Sequence, residues 1–521
     1  MMLSWRCDNA VHASCCLRVT LCLAVLLFFV IILTTLQNCF VIDAGTLSVS
    51  ATVNKKRVLH VIDDRYASVG IDASLVQEKF KNFDTSSVKL LTLSQSLGPC
   101  YVRVGGTAED LLVFDDKLLD KDSPFRKPQH VFVMTVADWD KINKFVSDVG
   151  WHLVFGLNLL LRNGSSWDPS NAEALMKYSD QKGYQMHLEL GNEPNSFKHV
   201  FQKTVDPSQS AKDFHVLRNL MQTFSTFKSS LLIGPDVTRP IKTSDEDELT
   251  TSSKDYLRRF LKTGSPYVDV VTFHHYYVRS QTATASDFRN PAILDSLQGQ
   301  ITLAQSIINS TSPGGKRLWL GEAGSSSGGG APLLSNRYIA GFMWLDRLGL
   351  SAVSGVDVVI RQSFYKGNYA MIDCLDYTPF PDYWLTLLYK RLVGTRVLEV
   401  TRSSLDNHLR VYGHCTRTGD RSKYHAGAVT LYILNLWAVD VEVKLPQFSE
   451  TDLHLYLLTP DGPSGLHSRN VRLNGQVLEM LSDSELPRLE PQTWPAGNPV
   501  HMEALTFGFV VIPDANVTVC M

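Results

Sequence analysis

Two glutamates, each closing an apolar run beside a glycine, are the residues of this chain best suited to chemistry. The first stands in Gly191-Asn192-Glu193-Pro194, after Met186, Leu188 and Leu190 alternating with His187 and Glu189. Proline lacks a backbone donor and biases the residue before it away from helical geometry, so a strand should end here with Glu193 on its C-terminal lip. The second closes Arg317-Leu318-Trp319-Leu320-Gly321-Glu322, and the Ser- and Gly-rich stretch 323–330 is expected to be loop. A single carboxylate at a strand end is ordinarily just a solvated charge. Two of them on separate strand ends match the proton donor and the nucleophile of a glycosidase.

Such a pair needs a scaffold that brings distant segments together. Strand-like runs occur at 67–71, 101–104, 153–158, 187–190, 231–236, 268–275, 318–322 and 356–362. Helical patterns lie between them, among others at 138–149, 211–226, 254–262 and 337–348. Strict alternation of strand and helix implies a parallel sheet, and eight units imply a closed (β/α)8 barrel spanning 67–392. An open doubly wound sheet is the competing α/β answer, but no G-x-G-x-x-G or P-loop follows any strand. Glu193 ends the fourth strand and Glu322 the seventh, nearly across the barrel mouth. Carboxyls ~5–5.5 Å apart there retain anomeric configuration, Glu193 acting as acid/base and Glu322 as nucleophile.

Other strand ends offer binding groups. Asn192 presents an amide next to Glu193, or is a plain turn residue. His274 or Tyr276, in Phe273-His274-His275-Tyr276-Tyr277, is placed to orient the nucleophile. The histidine pair also invites a zinc reading, but no H-E-x-x-H or third-ligand spacing accompanies it, so no metal and no cofactor is expected. Asp72, Thr107, Asn158, Gln362 and Tyr369 read as contacts to sugar hydroxyls.

From 393 to 521 the pattern becomes strand-length segments separated by turns, which reads as a β-sandwich, and the strand-like 45–66 is expected to pack on it. Residues 1–44 hold an apolar core at 21–33 behind Arg6 and Arg18, a secretory signal or signal anchor. Of nine cysteines, five lie in or beside that leader and Cys100, Cys374, Cys415 and Cys520 follow it. Export permits disulfides. Cys415 and Cys520 lie on or beside sandwich strands and are expected to pair. Cys100 and Cys374, at opposite ends of the barrel, are not expected to pair with each other. Sequons begin at Asn163, Asn309 and Asn516. With 44% hydrophobic and 20% charged residues the chain is globular in composition. A net charge of −2 excludes bulk capture of nucleic acid, so an anionic ligand must meet a local basic patch.

The segments LGNEPNSF, FGLN, GPDV, FHHYY, LWLGE, GGGAPLLS, AGFMWLD, RQSFY and PDYWL resemble the heparanase family, over about 67–520. That resemblance implies a retaining endo-β-glucuronidase with a C-terminal β-sandwich that cleaves heparan sulfate chains in lysosomes and outside cells. It implies no obligate protein partner and no membrane insertion once the leader is removed. Glu193 falls on the family's proton donor and Glu322 on its nucleophile. Asp72, Thr107, Asn192, Tyr276, Gly328, Gly329, Gln362 and Tyr369 fall on substrate contacts, and Cys415 and Cys520 on the sandwich disulfide. For sulfate groups the basic candidates are Arg239, Lys242, Arg126, Lys127 and Arg279. Only 108–152 separates Thr107 from the next strand, so most of the linker that vertebrate members excise is missing. A second enzyme reading is an exo-acting β-glucuronidase of the same clan. A non-catalytic heparan sulfate-binding branch lacks the Leu-Gly-Glu pattern that this chain keeps.

Overall fold

The computed structural model describes residues 47–115, 132–240, 248–419 and 422–521. The leader, Arg126, Lys127 and Lys242 lie outside them. Eight parallel strands form one sheet: Ala67–Asp72, Tyr101–Gly105, His152–Leu157, Met186–Leu190, Ile233–Val237, Val270–Arg279, Arg317–Ser327 and Val358–Arg361. Neighbours follow chain order, and the eighth strand pairs with the first. A parallel bridge between Leu188 and Leu232, with the Leu188 amide donating to the Leu231 carbonyl at 3.0 Å, closes the gap between the fourth and fifth. The result is a (β/α)8 barrel.

Local chemistry fixes the helices that wrap it. The helix Val136–Val149 starts at Thr135, whose side chain and that of Asp138 cap each other's backbone donors, and stops at Gly150 in left-handed conformation. Asp206 caps Pro207–Thr223, with proline at the first helical position where its missing N–H costs nothing. Outward-facing strand residues such as Val102, Leu188, Val271 and Leu320 join the main core with these helices. Inward-facing Tyr101, Val154, Ile233, Val270, Trp319, Val358 and Ile360 form a separate apolar plug inside the barrel.

Two strands run past the ends expected from the sequence. The sixth continues to Arg279 and the seventh to Ser327, well beyond His275 and Glu322. The two stay paired as far as Arg279 and Ser327, with a register shift where Phe273 opposes Leu320 but His274 opposes Glu322. Gly321 is the extra residue of this bulge. A β-carbon there would lie 2.8 Å from Asp236 Oδ1 and 3.2 Å from Thr272 Cβ. Trp319 faces the barrel interior and Leu320 the helices, so plain alternation would turn Glu322 outward. The bulge reverses that parity and aims Glu322 inward.

The C-terminal region and the strand Leu47–Val61 make a second sheet of eleven strands. Leu47–Val61 is a member of this sheet, pairing antiparallel with Val393–Arg402. Along Val429–Asn435 the side chains alternate: Val429, Leu431 and Ile433 enter the sandwich core with Val441, Val443, Val500 and Met502, while Tyr432 and Leu434 face the barrel core. Cys415 and Cys520 are disulfide-bonded, and Cys100 and Cys374 are free. The bond closes a loop of 105 residues. Breaking it with Cys415→Ser plus Cys520→Ser should lower unfolding free energy by about 3–5 kcal/mol, measured by urea denaturation. The side chains of Asn163, Asn309 and Asn516 are all exposed, open to an attached glycan. Among the described residues no helix is long and apolar enough to cross a membrane.

Candidate active site

At the C-terminal mouth of the barrel lies a cavity of about 340 Å³. Its lining brings together Glu193, Glu322, Asp72, Thr107, Asn192, Tyr276, Gly328, Gly329, Gln362, Tyr369, Arg239 and Arg279, every described binding or catalytic candidate named above except Asn158. Gly106, Thr238, His274 and Ser327 complete the wall. Asn158 is elsewhere. Its amide donates to the Leu112 carbonyl and its oxygen accepts from the Leu160 amide, so it braces the loop after the third strand rather than meeting a ligand.

Glu193 follows Gly191 and sits at φ 53°, ψ 52°, just before a 3-10 turn that starts at Pro194. Its backbone N–H donates to the Asp236 carbonyl at 3.0 Å, which ties this strained residue to the neighbouring strand. The Asp110 carboxylate accepts from the amides of Asn192 (2.8 Å) and Leu159 (2.9 Å), fixing the same loop from the other side.

One ligating atom from each of Glu193, His274 and Glu322 lies within 4.8 Å of the others. Glu322 is held by two donors: Arg103 Nη1 to Oε2 at 3.0 Å and the Tyr276 hydroxyl to Oε1 at 2.5 Å. Burial, then the Glu322 charge, pushes the Tyr276 phenol well above its usual range, so it stays a donor. His274 belongs to the other carboxylate, its Nδ1 lying 2.9 Å from Glu193 Oε1 and its Nε2 3.4 Å from Asp236 Oδ1. Of the two residues considered for orienting the nucleophile, Tyr276 touches Glu322 and His274 touches Glu193. Burial opposes charge on His274, but Glu322, Asp236 and Glu193 outweigh it and raise its pKa to about 10. With His274 bonded to Glu193 and Glu322 to Arg103 and Tyr276, the trio is a hydrogen-bonded set.

Beneath the cavity floor lies a cluster that sequence reasoning did not single out. Arg103 is 2% exposed and gives Nε to Glu189 Oε2 at 2.7 Å, Nη1 to Glu322 and Nη2 to Asn192 Oδ1 at 3.1 Å. Glu109 approaches the same guanidinium at 3.6 Å. Room for Glu109 comes from Gly156, where a β-carbon would sit 2.0 Å from its Oε2. Burial raises Glu189 and Asp110 to about 7, against the opposing pull of Arg103 on Glu189 and of the Asn192 and Leu159 amides on Asp110. A signal for this cluster does exist in the sequence: Arg103 and Glu189 are lone charges in otherwise apolar strands, on the same parity as inward-facing Tyr101 and His187.

Around the rim, Asp72 accepts from the Ser74 amide at 2.9 Å, and burial raises its pKa. Gly328, Gly329 and Gly330 all have positive φ, so the backbone itself forms one wall. Arg239 is half-buried, donating to the Tyr276 carbonyl at 3.3 Å, and Arg279 is exposed at the edge. The cavity thus joins two near carboxylates, the pair that glycoside hydrolysis requires, with a ring of polar groups.

Comparison with known proteins agrees. The model of glycosyl hydrolase family 79, N-terminal domain, matches residues 71–349, over half the chain. Heparanase of Gallus gallus is 39% identical over 505 residues, covering 88% of this chain and 94% of the relative. Inactive heparanase-2 of Mus musculus is 33% identical over 537 residues, covering 90% and 89%. Among solved structures, a 4-O-α-L-rhamnosyl-β-D-glucuronidase from Fusarium oxysporum 12S shares the fold, with a TM-score of 0.62 at 14% identity over 88% of this chain and 99% of that one. The chain belongs to glycosyl hydrolase family 79 and is a heparanase-like glycoside hydrolase.

Proposed function

We propose that this protein is a retaining endo-β-D-glucuronidase that hydrolyses internal glucuronosyl linkages of heparan sulfate. The observation carrying this reading is the proximity of Glu193 and Glu322, whose nearest ligating oxygens are within 4.8 Å. Inverting enzymes need roughly 6.5–9.5 Å between carboxyls to admit a water, and retaining ones about 5–5.5 Å. Roles divide by environment. Glu322 is nearly buried and receives the Arg103 and Tyr276 donors, which fix its aim at an anomeric carbon. Glu193, with its side chain 26% exposed, faces the opening and gives its proton to the leaving oxygen, then activates water. Asn192 spends its oxygen on Arg103, leaving its NH2 for a sugar hydroxyl. Asp72, Thr107, Gln362 and Tyr369 take further hydroxyls, the glycine wall at 328–329 offers backbone donors to a uronate, and Arg239 and Arg279 meet sulfates. The heparanase relatives favour this substrate over others of the clan. A disulfide and exposed sequons accord with action in lysosomes or outside the cell.

The test is to incubate uncut protein with heparan sulfate at about pH 5, where a carboxylic acid still donates, and to size the products. Large fragments are expected. Single glucuronic acid would instead mean exo action, and intact chains with salt-sensitive binding would mean a non-catalytic binder. Tyr276→Phe removes one hydrogen bond to the Glu322 anion and should lower kcat about 10- to 100-fold with little change in KM. An unchanged kcat would deny Tyr276 that role.

A further inference from the structure

Asp236 reaches Glu193 twice, once through its backbone and once through His274. It stands near the end of the strand Ile233–Val237, at φ 50°, and is fully buried. Its amide donates to Thr272 Oγ1 at 3.1 Å and its carbonyl accepts from the Glu193 amide at 3.0 Å, so neighbouring strands hold it on both sides. Its side chain occupies the space that Gly321 leaves by lacking a β-carbon. No amide or hydroxyl among the described residues donates to its carboxylate. The group that faces it is His274 Nε2, at 3.4 Å, and His274 Nδ1 lies 2.9 Å from Glu193 Oε1. Carboxylate, imidazole and carboxyl form a chain of three, closed into a ring by the backbone hydrogen bond.

A buried carboxylate without donors is costly unless a cation faces it. Arg103, which also lies beneath the cleft, gives its hydrogen bonds to Glu189, Glu322 and Asn192. His274, itself 1% exposed, is the counter-charge. Glu322, Asp236 and Glu193 face it from the ends of the seventh, fifth and fourth strands, and together they outweigh the burial that opposes its protonation. An imidazolium donates from both nitrogens. One N–H then goes to Asp236 and the other to Glu193 Oε1. An oxygen that accepts in this way does not carry the acid proton, which is left to Oε2. A neutral imidazole would act differently. Asp236 would keep its single proton on Nε2, and Nδ1 would accept the Glu193 proton from Oε1, away from the substrate.

We propose that Asp236 is a positioning residue for the acid step: acting through His274, it confines the Glu193 proton to Oε2, the oxygen that meets the leaving group. Asp236 itself, being buried, touches no substrate. The inference rests on the reading of Glu193 as proton donor. His274 keeps both of its protons throughout, while Glu193 Oε2 gives its proton to the glycosidic oxygen as the bond from that oxygen to the anomeric carbon breaks.

The test is the leaving-group dependence of kcat/KM in the full chain, compared on two aryl glycosides of a glucosaminyl-glucuronic acid disaccharide. Phenol needs a proton to depart and 2,4-dinitrophenol does not. Asp236→Asn should lower kcat/KM on the phenyl glycoside about 10- to 100-fold, a loss at least about tenfold greater than on the dinitrophenyl glycoside. If that variant does not fold, His274→Gln carries the same expectation. Glutamine has a single NH2, which Asp236 takes, so its carbonyl turns to Glu193 and draws the proton to Oε1. Glu193→Gln, run beside them, should show the same discrimination more strongly. Equal losses on both glycosides in the Asp236 and His274 variants would make the pair a structural brace and overturn the proposal, as would unchanged rates. Discrimination by Glu193→Gln alone would leave Glu193 as the acid and remove only Asp236 from the account. Its absence in Glu193→Gln would overturn the reading of Glu193 and the proposal with it.

Discussion

Glu322→Gln is expected to lower kcat on heparan sulfate by on the order of 10⁴–10⁶-fold while leaving the fold and substrate binding intact. Glutamine keeps the shape and can still accept from Arg103 and meet the Tyr276 hydroxyl, but it cannot form the glycosyl ester. Glu193→Gln should cost less, about 10²–10⁴-fold, since only proton transfer is lost. The two variants also differ in how an added anion rescues them on an aryl glucuronide with a good leaving group. Azide should attack the glycosyl-enzyme of Glu193→Ala from the vacated face and yield a β-glycosyl azide. With Glu322→Ala it should yield the α-anomer. Equal, small losses in both glutamine variants would mean that the chemistry lies elsewhere.

The second large effect concerns stability. Arg103→Met leaves Glu189 and Glu109 buried without their counter-charge and should lower unfolding free energy by about 3–5 kcal/mol. The loss depends on pH, with a definite sign. Burial holds Glu189 and Asp110 at about 7 in the folded protein against ordinary values of 4.5 and 3.8, and Glu109 is raised too. A folded pKa above the unfolded one contributes stability that is complete below the unfolded value and disappears as pH rises through the folded value. His274, raised from 6.5 to about 10, acts in the same direction over a higher window. Wild type should therefore be more stable at pH 5 than at pH 7.5. Arg103 opposes protonation of these carboxyls, so removing it should cost more at pH 7.5 than at pH 5. Urea denaturation at both values decides this, and an equal loss at both would contradict the electrostatic account.

Much of this arrangement was legible in the chain. Eight apolar runs with polar ends became eight barrel strands because hydrophobic length and turn chemistry are local properties. The residues gathered around the cleft were visible because strand C-termini all open on one end of a barrel. Where reading failed, the cause was non-local. Alternation along the seventh strand cannot reveal that Gly321 bulges, since the reason is the approach of Asp236 and Thr272 from neighbouring strands. Asn158 resembled a ligand contact because it follows a strand, yet its partners are the carbonyl of Leu112 and the amide of Leu160. The pairing of His274 with Glu193 and of Tyr276 with Glu322 depends on which side chain reaches across a barrel mouth, which spacing within one strand does not encode. Arg103 could have been flagged by its charge alone, though its four partners come from three segments of the chain, around Glu109, Glu189 to Asn192, and Glu322.

The central claim is that Glu322 attacks the sugar and carries it covalently while Glu193 waits to hydrolyse the bond. A 2-deoxy-2-fluoro-glucuronosyl fluoride reacts quickly but turns over slowly, because fluorine at C2 destabilises both oxocarbenium-like transition states while fluoride leaves easily. Peptide mass spectrometry of the inactivated protein should find one glucuronosyl adduct, on the peptide containing Glu322, and none in Glu322→Gln. An adduct on any other residue, or hydrolysis with inversion and no adduct, would contradict the account.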